Sequence, residues 1–453
     1  MPRVACVTPA RRVAGRAVTT LDGLAAADRD AWADAFCATG ASQCGFCTPG
    51  IIVRLHALAD RSPASVERAL LAHLCRCTGW RTIVDAAAGV GTVSCAGRDL
   101  ASASARATLE GGVAQRVAPG VALGAGGFAD DTAPPDALVA VPATSGEFVV
   151  GESLAEARRL ARKVQGRHST AAVTHPLEVP SGDWDVTLRT TWVEPAYLEP
   201  DASWCVPGGE PATPLANGGA FGGKTASVAP LVARRLADEY GKPVRVVFSR
   251  EDVVRLGPKR PPIAAGVRAD GTGAVRVAAT PGIAAAILHA APALEVEEVS
   301  VPGPPTSIAS RGAGWAEARL LLAAARGESE ITAPNGARAE AEITSHGVRV
   351  RVACGRPLDE VVLRSYCVGA THMALGWVRS EAIAVDDSGE PQDLTIRSFG
   401  ILRARDTPAV EVEIEPSDAE PVNGSDAVFA AVALAAWRED GLAADWPTRK
   451  GRP

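Results

Sequence analysis

The chain has few aromatic residues, 4% of its 453 positions, and only two methionines. Its charge is not strongly one-signed, with 46 Lys and Arg against 52 Asp and Glu for a net charge of -6. A basic, aromatic-interleaved nucleic-acid surface is therefore not expected. Long hydrophobic runs are also missing. The first 30 residues contain no apolar signal-peptide core, and FAAVALAAW, close to the C-terminus, is the longest apolar run. That is too short for a membrane span, so the expectation is a cytoplasmic protein without membrane or nucleic-acid partners. Ten cysteines in a chain of this length do not make a disulfide scaffold. In a reducing compartment they are free thiols or ligands.

Four of the ten stand out. QCGFCTPG sets Cys44 and Cys47 as CxxC, LCRCTGW sets Cys75 and Cys77 as CxC, and 27 residues separate the pairs. Two close thiol pairs joined by one helical excursion make a four-thiolate metal site, either a [2Fe-2S] cluster or a structural zinc. Pro49 suits the first turn of a helix IIVRLHALAD beside Cys47, with Ile51, Ile52, Leu55, Leu58 and Ala59 on one face. Ser62-Pro63 breaks it. Ser65 is expected to cap a second helix, VERALLAHL, with Cys75 at its exit, and WRTIVDAAAG reads as a third. Helix N-termini after Cys47 and Cys77 would stabilise the negative charge of thiolates. Cys37, Cys95, Cys205, Cys354 and Cys367 are isolated and read as buried packing residues.

Spacing alone leaves iron-sulfur and zinc both open. The wording of the two motifs, however, resembles the all-helical [2Fe-2S] domain of the xanthine oxidase family of molybdenum hydroxylases, which implies a [2Fe-2S] cluster held by Cys44, Cys47, Cys75 and Cys77. In the opening ACVTPARRVAGRAV, Cys6 stands where the last cluster cysteine of a preceding ferredoxin-type domain would be. One thiolate cannot hold a cluster, so Cys6 reads as a leftover cysteine. The expected organisation is a ferredoxin-type remnant over 1–27, a helical cluster domain over 28–91, a linker over 92–121 and a shortened molybdenum-cofactor-binding-type region over 122–453. The fold class is α+β, a helical bundle followed by mixed α/β domains.

Further along, Ser153 and Glu156 form a capping box for LAEARRLARKV. The loop NGGAFGGKT follows Glu199-Pro200. Gly218, Gly223, Lys224 and Thr225 match the GxxxxGK[ST] pattern of nucleotide phosphate loops. A phosphate loop, however, needs an apolar strand leading into it, and the proline-rich VPGGEPATPLAN is not one. A helix with Val228, Leu231, Val232 and Leu236 on one face and Gly241 as its stop is expected next, then a strand VRVVFSR. GGAFGGK resembles instead the family's loop over the molybdopterin, which implies cofactor-binding roles for Gly218, Gly219, Ala220, Phe221, Gly222 and Gly223. SREDVVRLGPKRPP resembles the segment that follows it in the family. ASRGAGWAEARL resembles the RGxGxxEA segment and adds Arg311.

Three positions depart from the family pattern: Ala220 where glycine is usual, Ser365-Tyr366 where a Gly-Gln pair is usual, and Asp426, in NGSDAVF, where the catalytic glutamate of GxGE is usual. By resemblance Asp426 is the general base; by its position it reads equally as a helix cap. The resemblance implies an oxidoreductase subunit that passes electrons from a molybdopterin centre through the [2Fe-2S] cluster. It also implies an FAD-binding partner subunit, a complete molybdenum subunit as a further partner, and a small-molecule substrate. The alternative is a catalytically degenerate electron-transfer or scaffold subunit that holds the cluster and no molybdenum.

Overall fold

In a computed structural model, residues 2–5, 8–143, 146–162, 171–215 and 217–449 are described; Cys6 lies outside them. The N-terminal part is helical, with α1 (Ala26–Thr39), α2 (Thr48–His56), α3 (Pro63–Ala69) and α4 (Arg81–Gly89). Pro49 and Pro63 occupy first-turn positions, where a missing N–H costs nothing. Ile51, Ile52 and Leu55 of α2 pack with Trp32, Phe36, Val66, Leu70, Trp80 and Ile83 in one core. Three expectations change here. Helix α2 ends at His56, so Leu58 and Ala59 lie beyond it. Ser62, not Ser65, precedes α3, and the Ser65 hydroxyl donates to Asp60 at 2.5 Å. Cys75 is not at the helix exit either, because α3 ends at Ala69 and a short 3-10 turn, Leu70–Ala72, intervenes.

The stretch that composition marks as a linker contains a docked helix. It comprises α5 (Leu100–Gly111), begun by Asp99 accepting from the Ala101 and Ser102 amides, and the short turn α6 (Pro119–Ala122). Its regularity is hidden because the face it buries is made of Ala103, Arg106, Ala107 and Glu110 rather than large apolar residues.

The remainder is built on three four-stranded sheets among the described residues. The elements run β1 (Leu138–Pro142), β2 (Phe148–Gly151), α7 (Leu154–Leu160), β3 (Val186–Arg189), β4 (Ala202–Cys205), α8 (Ala229–Tyr240), β5 (Val244–Val247), α9 (Arg250–Leu256), β6 (Ile263–Val267) and β7 (Gly273–Ala278). They continue with α10 (Ile283–Ala290), β8 (Leu294–Val299), α11 (Trp315–Arg326), β9 (Glu330–Thr332), β10 (Arg338–Thr344), β11 (Gly347–Ala353), α12 (Glu360–Arg379), β12 (Val410–Ile414) and α13 (Ser425–Glu439). The sheet orders are β2-β1-β5-β4, β3-β6-β7-β8 and β12-β11-β10-β9. In the last, Val348, Val350 and Val352 point inward while Arg349 and Arg351 face Glu411 and Glu413 of the neighbouring strand at 3.3 and 3.4 Å. Helices α12 and α13 cross the largest core, where Trp377 stacks on Phe429 with ring centres 5.0 Å apart.

Smaller corrections follow from burial. Ser153 caps α7 through the Glu156 amide, but the Glu156 carboxylate accepts from the Glu152 amide at 2.9 Å, so the reciprocal box is incomplete. In α8 the buried face is Ala229, Ala233, Leu236 and Ala237, while Leu231 is 74% exposed. Strand β5 lies just behind, so alanines fit there better than larger side chains. Gly241 ends α8 in the left-handed conformation, as expected. Among the described residues no helix is long and apolar enough to cross a membrane.

Helical and sheet-bearing parts meet closely. Gly369, in the middle of α12, faces the Cys77 carbonyl at a distance that leaves no room for a Cβ. The Leu402 carbonyl accepts from Trp80 Nε1 at 3.2 Å and lies 3.0 Å from His372 Nε2.

Candidate functional site

The four motif cysteines come together as two pairs. Cys44 and Cys77 have their sulfurs 3.6 Å apart, and Cys47 is hydrogen-bonded to Cys75. Cys75 is buried, the other three are half-buried, and all are free thiols. The Cys47 contact, with help from Thr78, lowers the Cys75 pKa to about 6, while the same contact and burial push the Cys47 thiol up. Among the described residues, no three His, Cys, Asp or Glu side chains surround one point that a single ion could fill. A two-plus-two arrangement of thiols fits a dinuclear centre in which each iron would take two thiolates. Local sequence builds this. Cys47 is the residue before α2, and Trp80, at φ 69°, turns the chain from the CxC segment into α4. The remaining described cysteines, Cys37, Cys95, Cys205, Cys354 and Cys367, are buried and free, and Cys354 accepts from the buried Arg106 at 2.9 Å.

Cys44, Cys47 and Cys77 open onto a cavity of about 260 Å³. Gly218, Gly219, Ala220, Phe221 and Gly222 line its other side, with Arg311, Tyr366 and Asp426 completing the wall. Gly223 stands behind, against the Tyr197 ring. A Cβ on Gly218 would lie 3.1 Å from the Cys44 Cβ, so the glycine lets the loop rest directly on a motif cysteine. Asn217 fixes that approach, its amide donating to the Gln43 carbonyl at 2.8 Å. Gly222 presses on the Ala309 carbonyl, and the Arg311 amide donates to the Phe221 carbonyl at 3.2 Å, which joins the loop to the RGxG segment. Ala220 and Phe221 both adopt left-handed backbone, at φ 52° and 55°. A glycine at 220 would carry no steric cost there, so the departure from the family pattern stores strain at the cavity wall.

Lys224 lies on the cavity wall, but its ammonium is engaged by the protein rather than free for a phosphate as in a nucleotide loop. It is 3% exposed, paired with Glu199, and donates to the Pro214 carbonyl at 3.2 Å. Burial pushes its pKa down to about 7. Arg311 donates through Nε to Asp426 Oδ1 at 2.8 Å, and its guanidinium also reaches Ser425 Oγ. Asp426 is not the cap of α13. Asn423 Oδ1 accepts from the Asp426 amide at 3.0 Å, and the Glu110 carboxylate accepts from the Gly424 and Ser425 amides at 3.0 and 2.9 Å. Asp426, 32% exposed, is left as a side chain on the cavity wall.

Sequence reasoning did not single out Glu110, which α5 carries into this site, paired at 2.6 Å with Arg106 and completely buried. Nor did it single out Asn423, Gln43 or Arg76, all on the cavity wall. Only the Arg between the CxC cysteines carried a signal, by its place in the motif. Ser365 turns away from the cavity to bind the Gly40 carbonyl at 2.6 Å, and the Gln43 amide donates to it at 3.0 Å.

Comparison with known proteins fits this geometry. Residues 20–88 match the family model described as a [2Fe-2S] binding domain. Over that stretch the chain is similar to xanthine dehydrogenases and aldehyde oxidases. It is 40% identical over 87 residues to a probable xanthine dehydrogenase subunit from Bacillus subtilis, covering 18% of this chain and 50% of that one. It is 42% identical over 88 residues to xanthine dehydrogenase of Dictyostelium discoideum, covering 18% of this chain and 6% of that one. The match thus spans half or less of these relatives. The fold is similar to that of aldehyde oxidoreductase from Desulfovibrio desulfuricans, with TM-score 0.68, 14% identity and 98% and 93% of the two chains covered. It is also similar to the Desulfovibrio gigas aldehyde oxidoreductase, with TM-score 0.65 and 14% identity over 98% and 92%.

Proposed function

We propose that this chain is an oxidoreductase subunit in which Cys44, Cys47, Cys75 and Cys77 hold a [2Fe-2S] cluster and the adjoining cavity takes a molybdopterin. The observation that carries this reading is that the paired thiols and the glycine loop share one cavity, with Gly218 in contact with Cys44. Residues 28–91 act as the cluster domain and residues 122–453 as the region that encloses the cofactor, with the intervening segment supplying Glu110. Gly218, Gly219, Ala220, Phe221, Gly222 and Gly223 bring backbone close to the cofactor, and Arg311 braces the loop from the other side. When bound, a molybdopterin supplies two-electron oxidation of a substrate carbon and the cluster supplies one-electron steps.

The protein's part is placement and proton transfer. Arg311 engages Oδ1 of Asp426, which leaves Oδ2 to take a proton from a reacting group in the cavity. Asp is one methylene shorter than the usual glutamate, and the anchoring of α13 by Glu110 and Asn423 sets how far it reaches. A separate FAD-binding subunit accepts the electrons, and the substrate is a small molecule.

A second reading, a scaffold or electron-transfer subunit without molybdenum, has its own support. The cationic side chains on the cavity wall are already paired: Arg76 with Glu381, Lys224 with Glu199 and Arg311 with Asp426. A phosphate-bearing cofactor would then rely on backbone amides and uncharged polar side chains. Metal analysis of protein made with its operon neighbours separates the two. Iron with molybdenum and released pterin supports the first, iron without molybdenum supports the second, and iron-free protein after anaerobic reconstitution overturns both.

A further inference from the structure

We propose that Arg76 and Glu381 form an electrostatic latch that sets the reduction potential at the four-thiolate site. This rests on the cluster reading and adds to it two residues outside the donor set. Arg76 stands between Cys75 and Cys77 and is 3% exposed; Glu381, just beyond α12, is 2% exposed. Nη1 and Nη2 donate to the two carboxylate oxygens at 2.5 and 2.6 Å, and Nε donates to the Pro195 carbonyl at 3.0 Å. The fork therefore has one orientation, fixed by two bonds to the carboxylate and a third to the backbone. The fold makes room for it, because a Cβ on Gly376 would overlap the Glu381 carboxylate, whose backbone amide donates to the Gly376 carbonyl at 2.7 Å.

Burying two charges costs several kcal/mol per ion before their attraction offsets it, and apolar residues of similar volume would join the two parts of the chain as well. Charge is therefore the property that distinguishes this contact from simple packing. Its direction is set by position. Arg76 lines the main cavity with Cys44, Cys47 and Cys77, whereas Glu381 does not. Both line a second cavity of about 30 Å³. Arg76, which separates Cys75 from Cys77 in the chain, is thus the partner that borders the thiol cavity, and Glu381 is set back from it. Reducing the cluster adds one electron, and in a low-dielectric surrounding a neighbouring cation favours the reduced form while an anion opposes it.

The test uses the purified holoprotein with its iron content measured, titrated against redox mediators by visible absorption and by paramagnetic resonance of the reduced state. Arg76→Gln is expected to shift the midpoint to more negative values by tenfold or more in the reduction equilibrium, about 59 mV for one electron. Glu381→Gln is expected to shift it to more positive values, and Arg76→Lys to return towards the wild type. If Arg76→Gln fails to load iron, Glu381→Gln, which keeps shape and a carbonyl oxygen for Arg76, decides by the sign of its shift. An unchanged potential in iron-loaded Glu381→Gln, or shifts of both variants in the same direction, overturns the latch. Wild-type protein that holds no iron after reconstitution overturns the cluster reading instead, so the two failures are distinguishable.

Discussion

The two halves of the site are built in opposite ways. The thiol half comes from one continuous stretch of fewer than 40 residues, Gln43 to Trp80, and its helices α2 and α3 share one core with the flanking α1 and α4. The cavity half draws Glu110, Asn217 to Gly222, Arg311, Tyr366 and Asp426 from five separate places. A contiguous site tolerates distant change and fails all at once when a donor is lost. An assembled site depends on contacts far from the chemistry, so single changes in it should act in graded steps.

The severest break of that comparison is in the thiol half. Cys75→Ser is expected to abolish the iron-sulfur absorption and to destabilise the helical core, because ligation and folding are coupled in small metal-bearing domains. Unchanged colour with an unchanged melting curve would remove Cys75 from the donor set. In the assembled half, Asp426→Asn should keep iron content and fold while lowering turnover by roughly 10²- to 10⁴-fold, the usual contribution of a general base. Dye-linked assays of the assembled enzyme over a panel of small-molecule substrates read this out, and wild-type rates would return Asp426 to a purely structural part.

Where the halves join, pH provides a lever. Burial lowers the His372 pKa from 6.5 to about 4, so between those values the unfolded chain binds a proton that the folded chain does not. Stability should therefore fall as pH drops from about 6.5 to about 4, by an amount on the order of 3 kcal/mol at full effect. Denaturant melts of wild type and His372→Gln over that range should converge at low pH; parallel curves would mean that His372 is not the group responsible. At the same junction Gly369→Ala should cost about 1–3 kcal/mol, since the added methyl meets the Cys77 carbonyl. The smallest effect is a gain. Ala220→Gly should stabilise the fold by about 1 kcal/mol by relieving left-handed backbone, and a loss of stability would show that the Ala220 methyl makes a packing contact worth more than the strain.

Much of the thiol half was legible because its chemistry is local. Cysteine spacing, Pro49, Pro63 and the first part of the apolar stripe of α2 are properties of neighbouring residues; the end of α2, the start of α3 and the exit towards Cys75 shifted. The glycine loop was legible for the same reason, and its false resemblance to a nucleotide loop fell away on the proline-rich lead. Arg76 with Glu381 and Lys224 with Glu199 were not legible as pairs, since nothing in either partner's surroundings names the other. Helix α5 was missed because its buried face is alanine and a paired Arg106–Glu110, which hydrophobic periodicity does not register.

The order of residues by itself determined the CxxC and CxC motifs, the helices beside them and the glycines on which close approach depends, because each follows from torsional preference and spacing along the backbone. Only the tertiary structure decided that the loop lies on Cys44, that Glu110 and Asn423 free Asp426 from capping, and that charges distant in sequence are buried as partners. Those outcomes depend on which surfaces exclude water together, and that is a property of the packed molecule.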